Sequence, residues 1–569
     1  MNYLLSSLIF VPLVAALVLL CLPARMHRLL KSVALSATVV ELLLSLLLFA
    51  SFEGTVSSDL GQTYQFQEKL PWVSMSLGGL GKLKIYYFLG VDGLNVALVL
   101  LTGIIAVIGM VSSWSIHQRV KGYLSLYLLL LGCIMGCFVA LDLFLFYLFF
   151  EFMLLPMYFL IGMWGGKRRE YAAIKFFLYT LLGSVLILVA FIALYASVMD
   201  PTATATQLGF SGATGVQQVQ ALLAQGQLTS AQVVHAFNIP DMLQPANFIP
   251  GTVLHLTSGV TFLGYPARAV AFLLLFLGFL IKLPGVPLHT WLPDAHVEAP
   301  TPISVLLASI LLKVGGYGLF RIAFPVFPEQ AVEFSWFIAL LGIISIIYAA
   351  LCALAMADLK KLIAYSSVSH MGFVLLGLAA LTPEGWNGAL YQLFSHGLIS
   401  AMLFLIAGVI YDRMHDRNIE HFRGLAMVAP VFTVFVVMAF FASLGLPGFS
   451  GFIAELLVLL GAFGSQAGGG LLPKWMAMAA TGGLVLAAAY YLWTLQRMFF
   501  GRFWVTPGLP TSFPDLTARE ILMLLPLALL VLAFGLFPAL LLDKSGATVA
   551  EYLRLILLVT GGGTSMVAP

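Results

Sequence analysis

Six ionisable residues stand where the surrounding chain is almost wholly apolar: Glu151, Lys282, Lys313, His370, His396 and Glu455. The chemistry these side chains share is proton transfer. Histidine titrates near neutrality and passes a proton between its two ring nitrogens. Burial disfavours a charged amine and an adjacent carboxylate favours it. Making and breaking a lysine–glutamate pair therefore loads and unloads a proton, with no metal or nucleotide required.

The positions are costly ones. Lys282 ends the run Ala269–Ile281 and is followed at once by Leu283-Pro284-Gly285. Counted from Arg268 at ~1.5 Å per residue, it lies about 21 Å along a helix. That is past the middle of a hydrocarbon layer roughly 30 Å thick, where a lysine costs roughly 2.5–3.5 kcal/mol even on mild insertion scales. Glu151 and Lys313 lie about 14 and 15 Å along their own helices. Structural readings stand beside the chemical one. Glu151 can fill a helix interface as a neutral acid, and either lysine can snorkel toward the headgroups. The histidines can be packing residues, and Glu455 can cap a broken segment. Lys282 and Lys313 belong to consecutive segments, which makes them candidate neighbours without proving contact.

The elements that must hold these residues follow from composition. Of 569 residues 61% are hydrophobic and 9% charged, against roughly 25% charged in soluble domains. The class is an all-α polytopic membrane protein. Apolar runs of about 20 residues give fourteen candidate spans. They fall near 3–22, 30–51, 91–113, 122–141, 142–165, 171–198, 268–296, 303–325, 332–354, 362–381, 386–411, 430–463, 474–498 and 519–541. The first stretch has no basic leader and reads as a retained helix, and residues 552–559 are too short to span. Basic residues crowd the loops after spans 1, 3, 5, 9, 11 and 13, Lys31 and Lys360 among them. The even loops hold only Lys69, Lys82, Lys84, Arg268, Arg321 and Lys474. The positive-inside rule then predicts odd loops in the cytoplasm and both termini on the outer face. A net charge of +3 gives no reason to expect nucleic acid as a partner; the lipid bilayer is the expected surroundings.

Two breaks organise the chain. Leu283-Pro284-Gly285 interrupts span 7 and Leu446-Pro447-Gly448 interrupts span 12. Five spans separate them, so the second copy is inverted, a pattern of ion-translocating folds. Each proline removes a backbone donor, which predicts that Leu280 and Ser443 lose their carbonyl partners. The expected units are 1–113 (helices 1–3), 114–325 (first repeat, helices 4–8), 326–500 (second repeat, helices 9–13) and 501–569 (helix 14 and tail). Insertions 52–90 and 199–266 read as extramembrane elaborations, with a short amphipathic helix expected over Gln217–Leu228.

Other charges point less sharply. Glu41 faces either a neighbouring helix or a neighbouring subunit. Asp294, His296 and Glu298 either line the mouth of the first broken helix or end it in a polar turn. Cys21, Cys133, Cys137 and Cys352 read as small core residues. Neither metal-ligand spacing nor a nucleotide loop is present, so no cofactor or metal is expected in this chain.

The motifs carry a resemblance. The stretch from Lys282 to Thr301 (KLPGVPLHTWLPDAHVEAPT), Lys313-Val-Gly-Gly-Tyr-Gly, Ala364-Tyr-Ser-Ser-Val-Ser-His-Met-Gly372 and Phe394-Ser-His-Gly-Leu398 resemble the antiporter-like membrane subunits of respiratory complex I. That superfamily also includes cation/proton antiporter and membrane-bound hydrogenase subunits, which remain the alternative. Phe150-Glu151-Phe-Met-Leu-Leu-Pro-Met-Tyr158 and the run Leu446–Glu455 are similar to the subunit M branch; the L and N paralogues carry a lysine where this chain has Glu455. The resemblance implies that Glu151 pairs with Lys282 in one half-channel and Lys313 links the halves. His370 and His396 would carry the proton to Glu455. It implies partners among the other membrane-arm subunits, especially L-like and N-like paralogues, in a bacterial-type inner membrane. NADH, flavin, iron–sulfur clusters and quinone would belong to other subunits.

Overall fold

The computed structural model describes residues 3–54, 64–76, 82–228, 232–465 and 471–559. Among them, twelve helices are long and apolar enough to cross a membrane. The first are α1 (Leu4–Cys21) and α2 (His27–Ser51). An antiparallel hairpin of β1 (Gln65–Ser76) and β2 (Lys82–Val91) follows, so insertion 52–90 is largely sheet where it is described. Then come α3 (Val96–Ser112), α4 (Val120–Val139), the abutting α5 (Leu143–Phe152) and α6 (Leu154–Trp164), and α7 (Arg169–Ser197). Asp142 starts α5 by accepting the Phe144 and Leu145 amides, which satisfies donors a helix start leaves open.

Insertion 199–266 forms α8 (Pro201–Gln207), α9 (Gly212–Ala224), β3 (Val234–His235), α10 (Ile239–Met242), β4 (Thr261–Phe262) and β5 (Tyr265–Pro266). The expected amphipathic helix is therefore α9, beginning five residues earlier than Gln217 and ending before Leu228. β3 adds to β2 in parallel, joining the two insertions in one sheet.

The first broken segment is α11 (Ala267–Lys282) and α12 (Trp291–Glu298). The next is a continuous helix over 301–326: α13 (Thr301–Leu306), a π-helical stretch Leu307–Leu311, α14 (Leu312–Gly318), a second π stretch Leu319–Ala323, and α15 (Phe324–Val326). Short α16 (Pro328–Glu333) leads to α17 (Ser335–Ala355), α18 (Leu359–Ala380) and α19 (Pro383–Met414). After β6 (Phe422–Arg423) and α20 (Leu425–Val428), the second broken segment is α21 (Pro430–Ser443) and α22 (Ser450–Gly464). The chain closes with α23 (Lys474–Phe499), β7 (Trp504–Val505), α24 (Ala518–Leu536) and α25 (Ala539–Val559).

Every segment read as a span is helical, and both interruptions fall at the two Leu-Pro-Gly sequences. One backbone expectation is corrected. The Leu280 carbonyl is not left free, because the Gly285 amide donates to it at 3.1 Å, the chain having turned far enough to bring a later donor back. Trp291 Nε1 donates to the Ile281 carbonyl at 2.9 Å, tying α12 to the end of α11.

Burial sorts the helices. The most apolar windows of α19 and of the 301–326 helix are wholly buried, and that of α18 nearly so. The helices α1, α2, α7, α23 and α24 show large apolar side chains to the outside, such as Leu43, Leu182 and Val485. This follows from sequence: the polar and glycine-bearing helices find protein partners, while uniformly apolar faces suit hydrocarbon. Gly315 shows how close the centre is packed. A Cβ there would lie 2.6 Å from the Leu283 amide and 2.8 Å from the Phe279 carbonyl, so α14 touches the backbone of the first break.

Candidate functional site

Four of the six residues lie in series. Lys313, on the wholly buried helix, shares a hydrogen bond of 2.8 Å between its Nζ and His396 Nδ1 and donates to the Ala308 carbonyl at 2.5 Å. That carbonyl lies in the π-helical stretch, where wide turns let a backbone group find a side-chain partner. The His396 and His370 rings have centroids 5.5 Å apart. His370 Nδ1 stands 3.3 Å from Glu455 Oε1, and its Nε2 is 3.2 Å from the Ser443 hydroxyl. Lys313, His370, His396 and Glu455 are all buried, none more than 5% exposed.

Local sequence sets this up. His370 sits on α18 and His396 on α19, each buried at its position. Glu455 follows the second break, and Gly445, at φ 74°, is so near that a Cβ there would meet Glu455 Oε2. A cavity of about 10 Å³ lies among His370, His396, Ser443 and Glu455, about the space one water occupies.

The remaining two residues are not brought into contact with each other. Lys282 is 2% exposed, and its Nζ has no hydrogen-bond partner among the described residues. It lies 4.0 Å from the Phe150 ring centroid, a cation–π contact. Glu151 instead accepts from the Tyr147 hydroxyl at 2.8 Å. Among the described residues the Lys282–Glu151 ion pair implied by the resemblance is therefore not closed. Tyr147, one helical turn before Glu151, has taken the carboxylate, and Phe150 has taken the ammonium.

Several partners carry no charge and no motif. Gln392 Nε2 lies 3.3 Å from His370 Nδ1. Ser443 donates to the Tyr491 hydroxyl at 2.7 Å, and Tyr491 to Ser366 at 2.9 Å. Only Tyr147 had a sequence signal, its i, i−4 spacing from Glu151.

The weaker candidates divide. Asp294 pairs with Lys175 at 2.7 Å, and Glu298 accepts the Arg168 amide at 2.9 Å. Glu298 lines a cavity of about 770 Å³, whereas His296 beside it is completely buried. Glu41 is also completely buried and faces helices of this chain, so the neighbouring-subunit alternative falls. Four residues counted as loop cations are buried within helices and are corrected: Lys31, Arg268, Lys360 and Arg321, with Arg268 in α11 paired with Glu329 at 3.0 Å. Lys31 lies in α2 and donates to the Trp114 carbonyl at 2.7 Å. Lys360 is buried in the first turn of α18. Arg321 is 0% exposed and holds Asp92 with both terminal nitrogens at 2.6 Å. It also donates to the Tyr317 and Tyr552 hydroxyls. A charge at the end of an apolar run reads as a loop residue in any hydropathy window, although the helix continues through it.

Comparison with known proteins agrees with this architecture. The family described as NADH:quinone oxidoreductase/Mrp antiporter, transmembrane, matches residues 140–240 and 251–480. NADH-quinone oxidoreductase subunit M of Rhodobacter capsulatus is 42% identical over 559 residues, covering 97% of each chain. Subunit M of Rickettsia bellii is 36% identical, covering 95% of this chain and 96% of its own. A chain of respiratory complex I from Thermus thermophilus with bound NADH superposes with a TM-score of 0.75 at 30% identity, over 97% of this chain and 99% of that one. A chain of the Mrp complex from Dietzia sp. DQ12-45-1b has the same fold, with a TM-score of 0.75 at 20% identity over 98% of this chain and 100% of that one. The chain belongs to the NADH:quinone oxidoreductase/Mrp antiporter family of membrane subunits, and its relatives within that family include M subunits of NADH-quinone oxidoreductase.

Proposed function

We propose that this chain is the proton-translocating subunit M of a complex I membrane arm, carrying protons along Lys313, His396, His370 and Glu455. The observation that supports the reading best is the buried series running from the Lys313–His396 hydrogen bond, across two imidazole rings 5.5 Å apart, to the His370–Glu455 contact. Lys282 and Glu151 form the gate at its start. In the separated arrangement no carboxylate among the described residues is bonded to Lys282, which favours release of its proton; closing the pair would hold the proton. Quinone reduction elsewhere in the assembly drives that alternation, and NADH, flavin and iron–sulfur clusters stay in other subunits. The L-like and N-like paralogues are the neighbours in the membrane arm. The membrane is the bacterial inner membrane, with both termini outside.

Lys313→Met tests the reading. In the complete complex in proteoliposomes, proton uptake per NADH oxidised should fall while the complex assembles at its normal size. Unchanged pumping with Lys313→Met and with Glu455→Gln would refute the relay.

A further inference from the structure

A cavity of about 940 Å³ opens between the loops that follow α19 and α23, both predicted to face the cytoplasm. Its wall carries Arg423, Arg497 and Arg502 together with Trp493, Phe500 and Trp504. The strand pair β6–β7 builds one side by setting Arg423 directly opposite Trp504. The Arg423 guanidinium lies 5.3 Å from the Trp504 ring centroid, and that of Arg497 lies 3.8 Å from the Trp493 centroid. The one acid among the described lining residues, Glu420, pairs with Arg497 at 3.3 Å. Among the described residues neither Arg423 nor Arg502 has a carboxylate partner.

The bias of basic residues toward one side of the membrane does not by itself explain this. That bias asks only for cations in the loop. Arg413 and Arg417, close by in sequence, are neutralised by Glu520 and Asp358. Arg423 and Arg502 are instead exposed and left without an acid, beside three aromatic rings that are themselves exposed. Indole rings favour the headgroup level of a bilayer, and a guanidinium matches phosphate oxygens two at a time. Apolar surface leads to the same place. On α23, Met478, Val485 and Leu492 are exposed and seven residues apart, a stripe about 21 Å long. It exceeds the roughly 15 Å depth of one hydrocarbon leaflet, and Trp493 and Phe500 end it at the cavity.

We propose that this cavity binds the phosphate headgroup of an anionic phospholipid, whose acyl chains run along the α23 stripe. Arg423 and Arg502 hold the phosphodiester oxygens. Arg497, already paired with Glu420, forms the wall, and Trp493 and Trp504 set the headgroup depth. A lipid seated here ties the loop before the second broken segment to the loop after α23. The inference needs only that the chain spans a membrane, so it stands or falls apart from the relay.

The test places the complete complex in phosphatidylcholine nanodiscs with a trace of photoreactive lipid, its diazirine on an acyl chain. Cross-links to residues 478–500 are read by peptide mass spectrometry. A phosphatidylglycerol probe should label this segment about thirty-fold more than a phosphatidylcholine probe with the same chains, the preference that two surface arginines give. Arg502→Gln should lower that preference about five-fold, and Arg423→Gln combined with Arg502→Gln should abolish it. Labelling of the exposed α7 face around Leu182 should not change, which reports an intact bundle. If the double variant does not assemble, Arg502→Gln decides alone, since its side chain is exposed and has no carboxylate to lose. Inorganic phosphate should displace the probe no more than sodium chloride of equal ionic strength does. Selective displacement by phosphate would assign the cavity to the free ion and overturn the lipid. Equal labelling by the two probes, or none because a protein neighbour covers the stripe, overturns it as well.

Discussion

Removing Asp92 should unlock the C-terminal helix. Arg321 is completely buried and, among the described residues, Asp92 supplies its only carboxylate contacts, two bonds of 2.6 Å. A guanidinium cannot shed its charge, so Asp92→Ala leaves that charge buried with only the hydroxyls of Tyr317, Tyr552 and Tyr64 around it. Breaking a buried pair from one side costs about 3–5 kcal/mol. The remaining hydroxyls keep the loss near the lower figure, and about 3 kcal/mol corresponds to roughly a hundred-fold in an opening equilibrium. The opening should occur in α25, which is held at this end by Tyr552 to Arg321, Tyr552 to Tyr64 at 3.0 Å and Thr548 to the Gly93 amide at 3.1 Å. Hydrogen exchange of the 545–556 amides should therefore accelerate about a hundred-fold. The double variant Asp92→Leu with Arg321→Met should recover most of the protection, because replacing both ions with apolar groups is commonly neutral or stabilising. If Asp92→Ala leaves exchange unchanged, or if the double variant exchanges as fast as the single one, the argument from buried charge is wrong.

Two further outcomes follow from the packing and from an insertion. Gly315→Ala places a methyl group 2.6 Å from the Leu283 amide; the break must move, which costs about 1–3 kcal/mol, and the altered Lys282 position should lower pumping more than it lowers yield of the assembled complex. Asp241 in α10 is pushed up to about 7 by burial and then by the charge of nearby Asp200. A raised acid makes folding most favourable below its unfolded value and less so as pH rises toward about 7. Protection factors across 234–249, the exchange rates corrected for intrinsic base catalysis, should thus fall between the unfolded value of 3.8 and about 7, and Asp241→Asn should flatten the dependence. A pH-independent profile in the unchanged protein would contradict it.

Much of the bundle was legible because a hydrocarbon layer demands runs of fixed length. The expected span at 171–198 is α7, Arg169–Ser197, and the one at 474–498 is α23, Lys474–Phe499. The charged members of the line were legible because charge in an apolar run is costly. Their neutral partners were not. Gln392, Ser443 and Tyr491 look like any polar residue until three helices bring them together. The π stretches were equally silent, since Leu307-Ala-Ser-Ile-Leu311 has nothing that distinguishes it from α-helix. The separation of Lys282 from Glu151 was beyond sequence altogether, because residue types do not fix which neighbour a buried side chain turns toward.

The clamp on α25 also sets an order of events during synthesis. Asp92 precedes Arg321, so the ion pair can close as soon as the 301–326 helix is in place. Tyr552 lies 231 residues further on. At roughly 5–20 residues per second, the ribosome needs on the order of 10–50 s to reach it. For that interval Arg321 has its carboxylate but not its cover, and the helix bearing Lys313 waits without its final brace. A helix made this late is thus a seal on elements made long before it, and a ribosome stalled shortly before residue 552 would leave the Arg321–Asp92 pair closed but uncovered.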